Sequence, residues 1–279
     1  MAPTQWPLLA VTLLSISGYA MTIPLLPQLV DADLLGPTYY GVVQSVANLV
    51  SLFAAPALGH VSDTRGRRVA AMCCASLGTM GTLLLGTKVF AGEQAWSHWA
   101  TSGAALGSSL IWLPTLGMIL RRVDRNSSSG VLQALCADGT LSDGERLPRM
   151  ARFNTAFSLG FTCGSSAGGA LSRFGNGAVV SCAAAAATLT LILEALLLPN
   201  TAGTAKPVAV HPDKAGKIKI GPDTPVGFVA TLRQLLSLPN RRTVGALLLC
   251  RGLMGLAFFI LTGTFDLYCR ERFAMDPET

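Results

Sequence analysis

Charged side chains are scarce in this chain of 279 residues, because Asp, Glu, Lys and Arg together make up only 13% of it. A soluble domain carries roughly 25% charged residues, so this chain has too few of them to cover a globule in water. Its mean hydropathy is +0.49, and apolar runs of the roughly 20 residues that cross a bilayer recur along it. The sequence therefore predicts an all-α, polytopic membrane protein, since helices satisfy their own backbone hydrogen bonds in lipid.

Arrangements of residues for catalysis or metal binding are lacking as well. His60, His98 and His211 lie in scattered segments, outside any H-E-x-x-H or G-x-S-x-G motif, and the cysteines show no C-x-x-C spacing. The net charge is +6, but the basic residues fall between the apolar runs, without the interleaved aromatic residues of a nucleic-acid surface. We expect no enzyme, no cofactor, no metal and no nucleic acid, and we expect the lipid bilayer as the first partner.

Seven apolar runs divide the chain. They cover residues 7–30, 39–58, 69–87, 103–120, 152–171, 177–198 and 243–268. The first six predict a transmembrane bundle over residues 1–198, and residues 199–242, which are rich in Pro, Gly and Lys, predict a basic cytoplasmic linker. Residues 243–279 then form a seventh helix with a short tail.

Lys and Arg are concentrated in alternate loops, namely those between runs two and three, four and five, and six and seven. Cytoplasmic loops retain positive charge during membrane insertion. The distribution therefore places the N-terminus in the cytoplasm, while the sequence does not indicate which membrane holds the protein.

One motif stands at the end of the second run, in the register G-x-x-x-D-x-x-G-R-R. Its fixed positions are Gly59, Asp63, Gly66, Arg67 and Arg68. An ordinary basic loop explains the arginines but not the glycines and the aspartate in register. The segment resembles the loop between helices two and three of the major facilitator superfamily, with Thr64 in place of the usual basic residue. The resemblance implies that Asp63 belongs to a breakable latch at the cytoplasmic gate.

Two further motifs are similar to those of the drug and tetracycline antiporter-like branch of this superfamily. The first helix carries Gly18 and the pair Pro24 and Pro27, and the fifth carries Gly160, Gly164, Gly168 and Gly169. Ser165 stands where the antiporter motif has proline. Glycines four residues apart share a helix face and allow close packing, and the resemblance implies coupling to protons by antiport.

The stretch from residue 131 to 146, leading into the fifth helix, resembles organic-cation-transporter-like members of the branch. By that resemblance the fourth helix continues past Leu120 to about Ala137, although hydropathy ends it at Leu120. We expect a continuous helix whose Arg-rich part lines a wet cavity. If so, Arg121 and Asp124 share a face, as do Arg122 and Arg125.

Charged residues at membrane depth are costly and are candidates for substrate or proton coupling. They are Arg122, Asp124, Glu194 and Arg251. For Arg122 and Asp124 the alternative is a solvated helix end, and for Glu194 it is a side chain that snorkels to the interface.

Together the motifs imply the N-terminal half of a secondary transporter, which moves a small organic solute by alternating access between two six-helix halves. One half plus a seventh helix leads us to expect a truncated chain that does not transport alone, and that a second half or a second copy would complete. The alternative is a non-transporting membrane protein that binds or regulates a full-length transporter.

Overall fold

The computed structural model describes residues 5–29, 37–92, 112–137 and 143–199, together with short helical pieces between 242 and 257. The described residues up to 199 belong to one unit, and the described pieces between 242 and 257 belong to a second unit. Every regular element in the described residues is helical, as the composition predicts. In the second unit the described positions of the seventh run are helical, and Arg251 lies outside the described residues.

In the first unit the described ranges hold seven helices, because the first run is broken in two. They are α1 (Gln5–Met21), α2 (Leu26–Leu29), α3 (Pro37–Arg65), α4 (Arg67–Ala91), α5 (Trp112–Ala137), α6 (Asp143–Ser172) and α7 (Asn176–Leu197). Four spans are long and apolar enough to cross a membrane: Trp6–Leu29, Thr38–Arg65, Arg67–Ala91 and Asn176–Leu197. The predicted all-α, polytopic helical bundle is thereby confirmed.

The α5 helix, which contains the second part of the fourth apolar run of the sequence, shows why hydropathy underestimates a helix that carries charges. α5 has 26 residues, which at 1.5 Å per residue makes it about 39 Å long, enough for the ~30 Å hydrocarbon core. The arginines lie near its middle, and the helix ends at Ala137, as the family resemblance predicts and hydropathy alone does not. The charged residues stay helical because they point into the bundle.

The junction between α3 and α4 differs from the predicted basic loop over residues 60–68. α3 continues to Arg65, and Gly66 alone separates it from α4, with φ of 101°. Only glycine adopts such a φ without strain. The polar residues at this end prolong the helix, since Thr64 Oγ1 donates back to the His60 carbonyl at 2.8 Å. The glycine of the motif is thus the turn itself.

The bundle packs α4 against α5 and α7, and α1 against α6 and α7, while α3 packs against α5. Two buried apolar clusters lie in it. One includes Leu29, Leu85 and Val180, and the other includes Ala70 and Phe153. The α6 and α7 helices follow each other through a short turn, with Gly175 at φ of 92°.

Candidate functional site

The first helix breaks in the middle of the bundle. Pro24 has no N–H and cannot continue the α-helical hydrogen-bonding pattern, so α1 ends at Met21 and a 3₁₀ turn, Ile23–Leu25, follows. The Thr22 N–H donates to the Tyr19 carbonyl at 3.4 Å rather than to that of Gly18. Carbonyls at such a helix end need partners from elsewhere.

Arg121 of α5 supplies those partners. Its guanidinium donates to the carbonyls of Gly18 at 3.3 Å and Tyr19 at 3.1 Å, and to Thr22 Oγ1. Only 4% of Arg121 is exposed. The C-terminal end of a helix carries partial negative charge, so a buried guanidinium at this point caps the broken helix. From its spacing, Arg121 is expected only to share a helix face with Asp124. Arg121 is not among the residues predicted for the site.

Arg122, which the sequence does single out, connects three helices. Its Nε donates to Asn48 Oδ1 at 2.9 Å, its Nη1 to the Tyr19 hydroxyl at 2.8 Å, and its Nη2 to Gln44 Oε1 at 2.9 Å. A small cavity of about 10 Å³ adjoins Tyr19, Gln44 and Arg122. The side chain is therefore held inside the bundle, which contradicts the alternative of a solvated helix end.

Tyr19 lies at the centre of the arginine cluster, defined here as Arg121, Arg122 and Arg125. The Arg121 guanidinium carbon is 5.1 Å from the centroid of the Tyr19 ring, and that of Arg125 is 5.6 Å away. Arg125 also stacks on Phe157 of α6 at 4.1 Å. Aromatic faces attract cations, so the α5 arginines are fixed by rings as well as by hydrogen bonds. Arg122 and Arg125 both contact Tyr19, which agrees with their predicted positions on one helix face.

Asp124 faces away from Tyr19, toward α4. Its carboxylate fills the space beside Gly78, where an added Cβ would meet Asp124 Cγ at 2.8 Å. The Ser128 hydroxyl donates to this carboxylate, and Arg121 and Arg125 lie within electrostatic reach of it. Asp124 also lines a cavity of about 20 Å³ among α1, α4, α5 and α7.

Glu194 of α7 is buried, with 1% of the residue exposed. The interpretation that it snorkels to the interface is thus wrong, because α7 is rotated so that this side chain faces α4. Among the described residues, Glu194 Oε2 has no hydrogen-bond partner. Asp124 acts electrostatically on Glu194, and Glu194 in turn acts electrostatically on the Cys74 thiol.

The gating motif forms a local ion pair at the junction of α3 and α4. Arg67 Nη1 lies 2.5 Å from Asp63 Oδ1 and donates to Ser62 Oγ at 2.8 Å. The Asp63 side chain is 65% exposed. Arg68 donates to the Ala195 carbonyl near the end of α7. Gly59 has open space around it, and the latch role of Asp63 stays a prediction.

Three of the four glycines of the fifth-helix motif line the contact between α6 and α1. A Cβ added at Gly160 would lie 2.7 Å from the Leu13 carbonyl oxygen, and one at Gly164 would lie 2.7 Å from Ser17 Cα. Gly168 is as close to the Met21 backbone, at 2.9 Å from its carbonyl carbon. Ser17 Oγ also donates to the Gly160 carbonyl at 3.1 Å.

The fourth glycine, Gly169, has nothing within 4 Å of an added Cβ, so it does not belong to this contact. In the first helix, Gly18 packs closely on α7, with 3.0 Å between its added Cβ and Ala186 Cβ. Pro27 is buried and Pro24 is exposed. Within the described ranges, no group of three or more His, Cys, Asp or Glu side chains could hold a metal ion.

The latch hypothesis makes a testable prediction for Asp63. Changing Asp63 to Asn removes the charge that pairs with Arg67 but keeps the size of the side chain, so membrane insertion and folding should be unchanged. Transport should fall, because a gate that cannot latch populates its conformers differently. Uptake and surface expression measured on the same cells separate the two effects, with the exposed Arg173 changed to Gln as control. Unchanged transport by Asp63→Asn contradicts the hypothesis.

A bundle of membrane-length helices, with a cluster of cations at a break in its first helix, is the architecture of a polytopic membrane transporter. The profile of the Major Facilitator Superfamily matches residues 8–279. The chain belongs to this family of membrane transporters, and it is an integral membrane protein.

The fold is similar to that of one solved transporter. The crystal structure of the human organic anion transporter MFSD10 (TETRAN) superposes with a TM-score of 0.58 and 19% sequence identity, over 99% of this chain and 67% of that chain. Among curated proteins, no match to the chain is found. At this identity the likeness concerns the fold.

Proposed function

We propose that the chain is a secondary active transporter that moves a small organic solute by alternating access. The arginine cluster at the break of α1 carries the proposal. Charged groups at membrane depth are costly and normally face a cavity or a substrate pathway. Here they meet the point where the first helix is discontinuous, and discontinuous helices form the binding sites of many transporters. A second half or a second copy of the chain would provide the other wall of the pathway.

An anionic solute suits this site best. Three guanidinium groups surround Tyr19, and two carboxylates, Asp124 and Glu194, are the acidic groups described nearby. The excess of positive charge would attract a carboxylate or a similar anion, which Arg can bind through two parallel hydrogen bonds. The similar human protein is named as an organic anion transporter, which agrees with this proposal.

Coupling to protons is the second part of the proposal. The first-helix and fifth-helix motifs are similar to those of antiporters, which favours exchange of the solute against protons. An anion that moves together with a proton would instead cancel its charge. Opposite pH gradients imposed across the membrane of a vesicle distinguish the two directions.

The test uses the 279-residue chain reconstituted in lipid vesicles, with radiolabelled benzoate, lactate and glutamate as anionic probes and tetraethylammonium as a cationic probe. We expect gradient-dependent uptake of an anionic probe when the chain is reconstituted at a density at which a second copy can complete the pathway. Changing Arg122 to Gln should reduce that uptake about tenfold, since a hydrogen bond to a charged group contributes ~1.5–3 kcal/mol. The control is Arg173→Gln in the turn after α6, which should transport as the unaltered chain does.

Two results would contradict the proposal. Uptake of tetraethylammonium in place of the anions would show that the arginine cluster does not select the substrate. Absence of flux from the chain, combined with altered flux when a full-length transporter is added to the same vesicles, would favour the regulatory alternative. Flux that rises with the degree of self-association would mean that a second copy completes the pathway.

A further inference from the structure

Behind the arginine cluster, two acidic side chains from different helices lie within electrostatic reach of each other. Asp124 reaches from α5 and Glu194 from α7, and the Cys74 thiol of α4 is under the electrostatic influence of both. Asp124 is the charged group that acts on Glu194. The two carboxyl groups thus share one environment, on the side of α5 that faces α4 rather than Tyr19.

Glu194 lacks the partners that an ionised carboxylate requires. The residue is 1% exposed, and its Oε2 atom has no donor among the described residues. An ionised carboxylate without donors is strongly disfavoured in an apolar interior, whereas the protonated acid is tolerated there. A proton on Oε2 would remove that cost.

Asp124 is in a different situation. The Ser128 hydroxyl donates to it, and the positive charges of Arg121 and Arg125 lie close enough to stabilise its negative charge. These contacts offset part of the cost of burying a charge on Asp124, and among the described residues no such contact reaches Glu194 Oε2. Glu194 is therefore the better placed of the two to hold a proton.

In the part of the chain that the structure describes, the other titratable groups near the pair do not supply a compensating cation to Glu194. On α4, Arg68 donates to the backbone carbonyl of Ala195, and Cys74 carries no positive charge. On α1, Tyr19 is the titratable residue within the helix. On α6, Arg149 acts on Cys136 of α5.

A cavity adjoins Asp124 and the helical turn of α7 that precedes Glu194. Its volume is about 20 Å³, and Asp124, Thr82 and Thr190 line it. Thr190 precedes Glu194 by one helical turn. The two threonine hydroxyls donate to carbonyls of their own helices at 2.8 Å, so toward the cavity they offer acceptors. A space of ~10–15 Å³ admits one water, and a water here could donate to these oxygens and to a carboxylate.

We propose that Asp124 and Glu194 form a proton-binding site in which two carboxyl groups from α5 and α7 hold one proton, exchanged through water in the adjoining cavity. Binding forms one O–H bond at Glu194 Oε2 with a proton from the aqueous phase that water relays, so that no hydroxide remains, and Asp124 stays beside the arginines. The claim that this proton is coupled to transport rests on the proposed function. The claim that the two carboxyl groups share a proton does not depend on it.

The direct test is infrared difference spectroscopy of the purified chain in detergent, between acidic and alkaline buffer. We expect a C=O stretching band of a protonated carboxylic acid that is lost at alkaline pH. Changing Glu194 to Gln should remove the band, and Asp124→Asn should change its frequency and its pH midpoint. The control is Asp63, whose carboxylate is exposed, because Asp63→Asn should leave the band unaltered. Glu194→Asp, which retains an acid at this position, should restore a band with a shifted frequency.

Several outcomes would overturn the proposal. A band that survives in Glu194→Gln, or that Asp63→Asn removes, would place the proton elsewhere. A band that responds to replacing Na⁺ by K⁺ at constant pH would indicate a metal-cation site instead. If Glu194→Gln does not fold, the decision passes to Glu194→Asp, in which a band of unshifted frequency would likewise place the proton on another residue.

Transport provides a second measurement. In vesicles, Glu194→Gln should abolish accumulation of an anionic probe driven by a pH gradient while exchange of labelled for unlabelled probe continues. Loss of both processes would indicate a structural role and contradict the coupling role. If the unaltered chain transports none of the probes, the proposed function fails, and the infrared result still decides whether the pair holds a proton.

Discussion

Replacing Gly164 by Leu should lower the free energy of unfolding of the bundle by about 1–3 kcal/mol, the usual cost of overpacking a tight interior. The reason is the close approach of α6 to α1. A Cβ at this position would lie 2.7 Å from Ser17 Cα and 2.9 Å from Ala20 Cβ. The first of these atoms belongs to the backbone, so no change of rotamer relieves the clash and α1 itself must shift.

The matched control lies five residues along the same helix. Gly169→Leu adds the same side chain at a site with nothing within 4 Å of its Cβ, and it should leave the midpoint of thermal unfolding in detergent nearly unchanged. Equal effects of the two variants would show that helix propensity, and not packing, decides the result. An unaltered midpoint for Gly164→Leu would mean that α1 does not approach this face.

The contrast between these glycines shows what residue spacing can predict. Gly160, Gly164 and Gly168 recur every four residues, and this period places them on one helix face in any environment. The spacing therefore predicts a contact surface, although not that α1 covers it. Gly169 belongs to the same family motif, but its position just off the face excludes it from the contact, since one residue turns a helix by about 100°.

The arginine cluster was predictable in part. Three arginines and an aspartate directly follow the apolar run 103–120, and the family resemblance extends the helix through them, which indicates charges at membrane depth. The capping role of Arg121 was not predictable, because it depends on where α1 breaks and on which α5 residue faces the break. Pro24 supplies the signal for the break, but the partner follows only from how two helices pack.

The environment of Glu194 also depends on packing rather than on local sequence. A carboxylate one turn from the end of an apolar run is compatible with a snorkelling side chain and with a buried one. The rotation of α7 against α4 decides between them, and many weak contacts along both helices set that rotation. The sequence therefore indicates the residue but not its surroundings.

Changing Arg121 to Met should destabilise the bundle by roughly 3 kcal/mol, the magnitude found when one partner of a buried charged contact is removed. Methionine fills much of the space, but it leaves the carbonyls of Gly18 and Tyr19 without their donor. It also takes a positive charge away from Asp124. Arg173→Met in the exposed turn after α6 is the control and should unfold as the unaltered chain does.

Arg121→Lys separates charge from geometry. An ammonium group keeps the charge but lacks the planar fork that reaches several acceptors at once, so this variant should fall between Met and Arg in stability. A lysine variant as stable as the unaltered chain would show that charge alone holds the end of α1. A methionine variant of unaltered stability would contradict the capping role itself.

A double-mutant cycle with Thr22 locates the interaction. Thr22→Val removes the hydroxyl that accepts from Arg121 and preserves the shape of the side chain. If the guanidinium caps α1 through Thr22 as well as through the carbonyls, the two changes should be non-additive by about 0.5–3 kcal/mol, as expected for residues in one hydrogen-bonded network. Additive effects would mean that Arg121 stabilises the bundle without this contact. The cycle therefore tests whether the broken end of α1 and the charged part of α5 are energetically coupled.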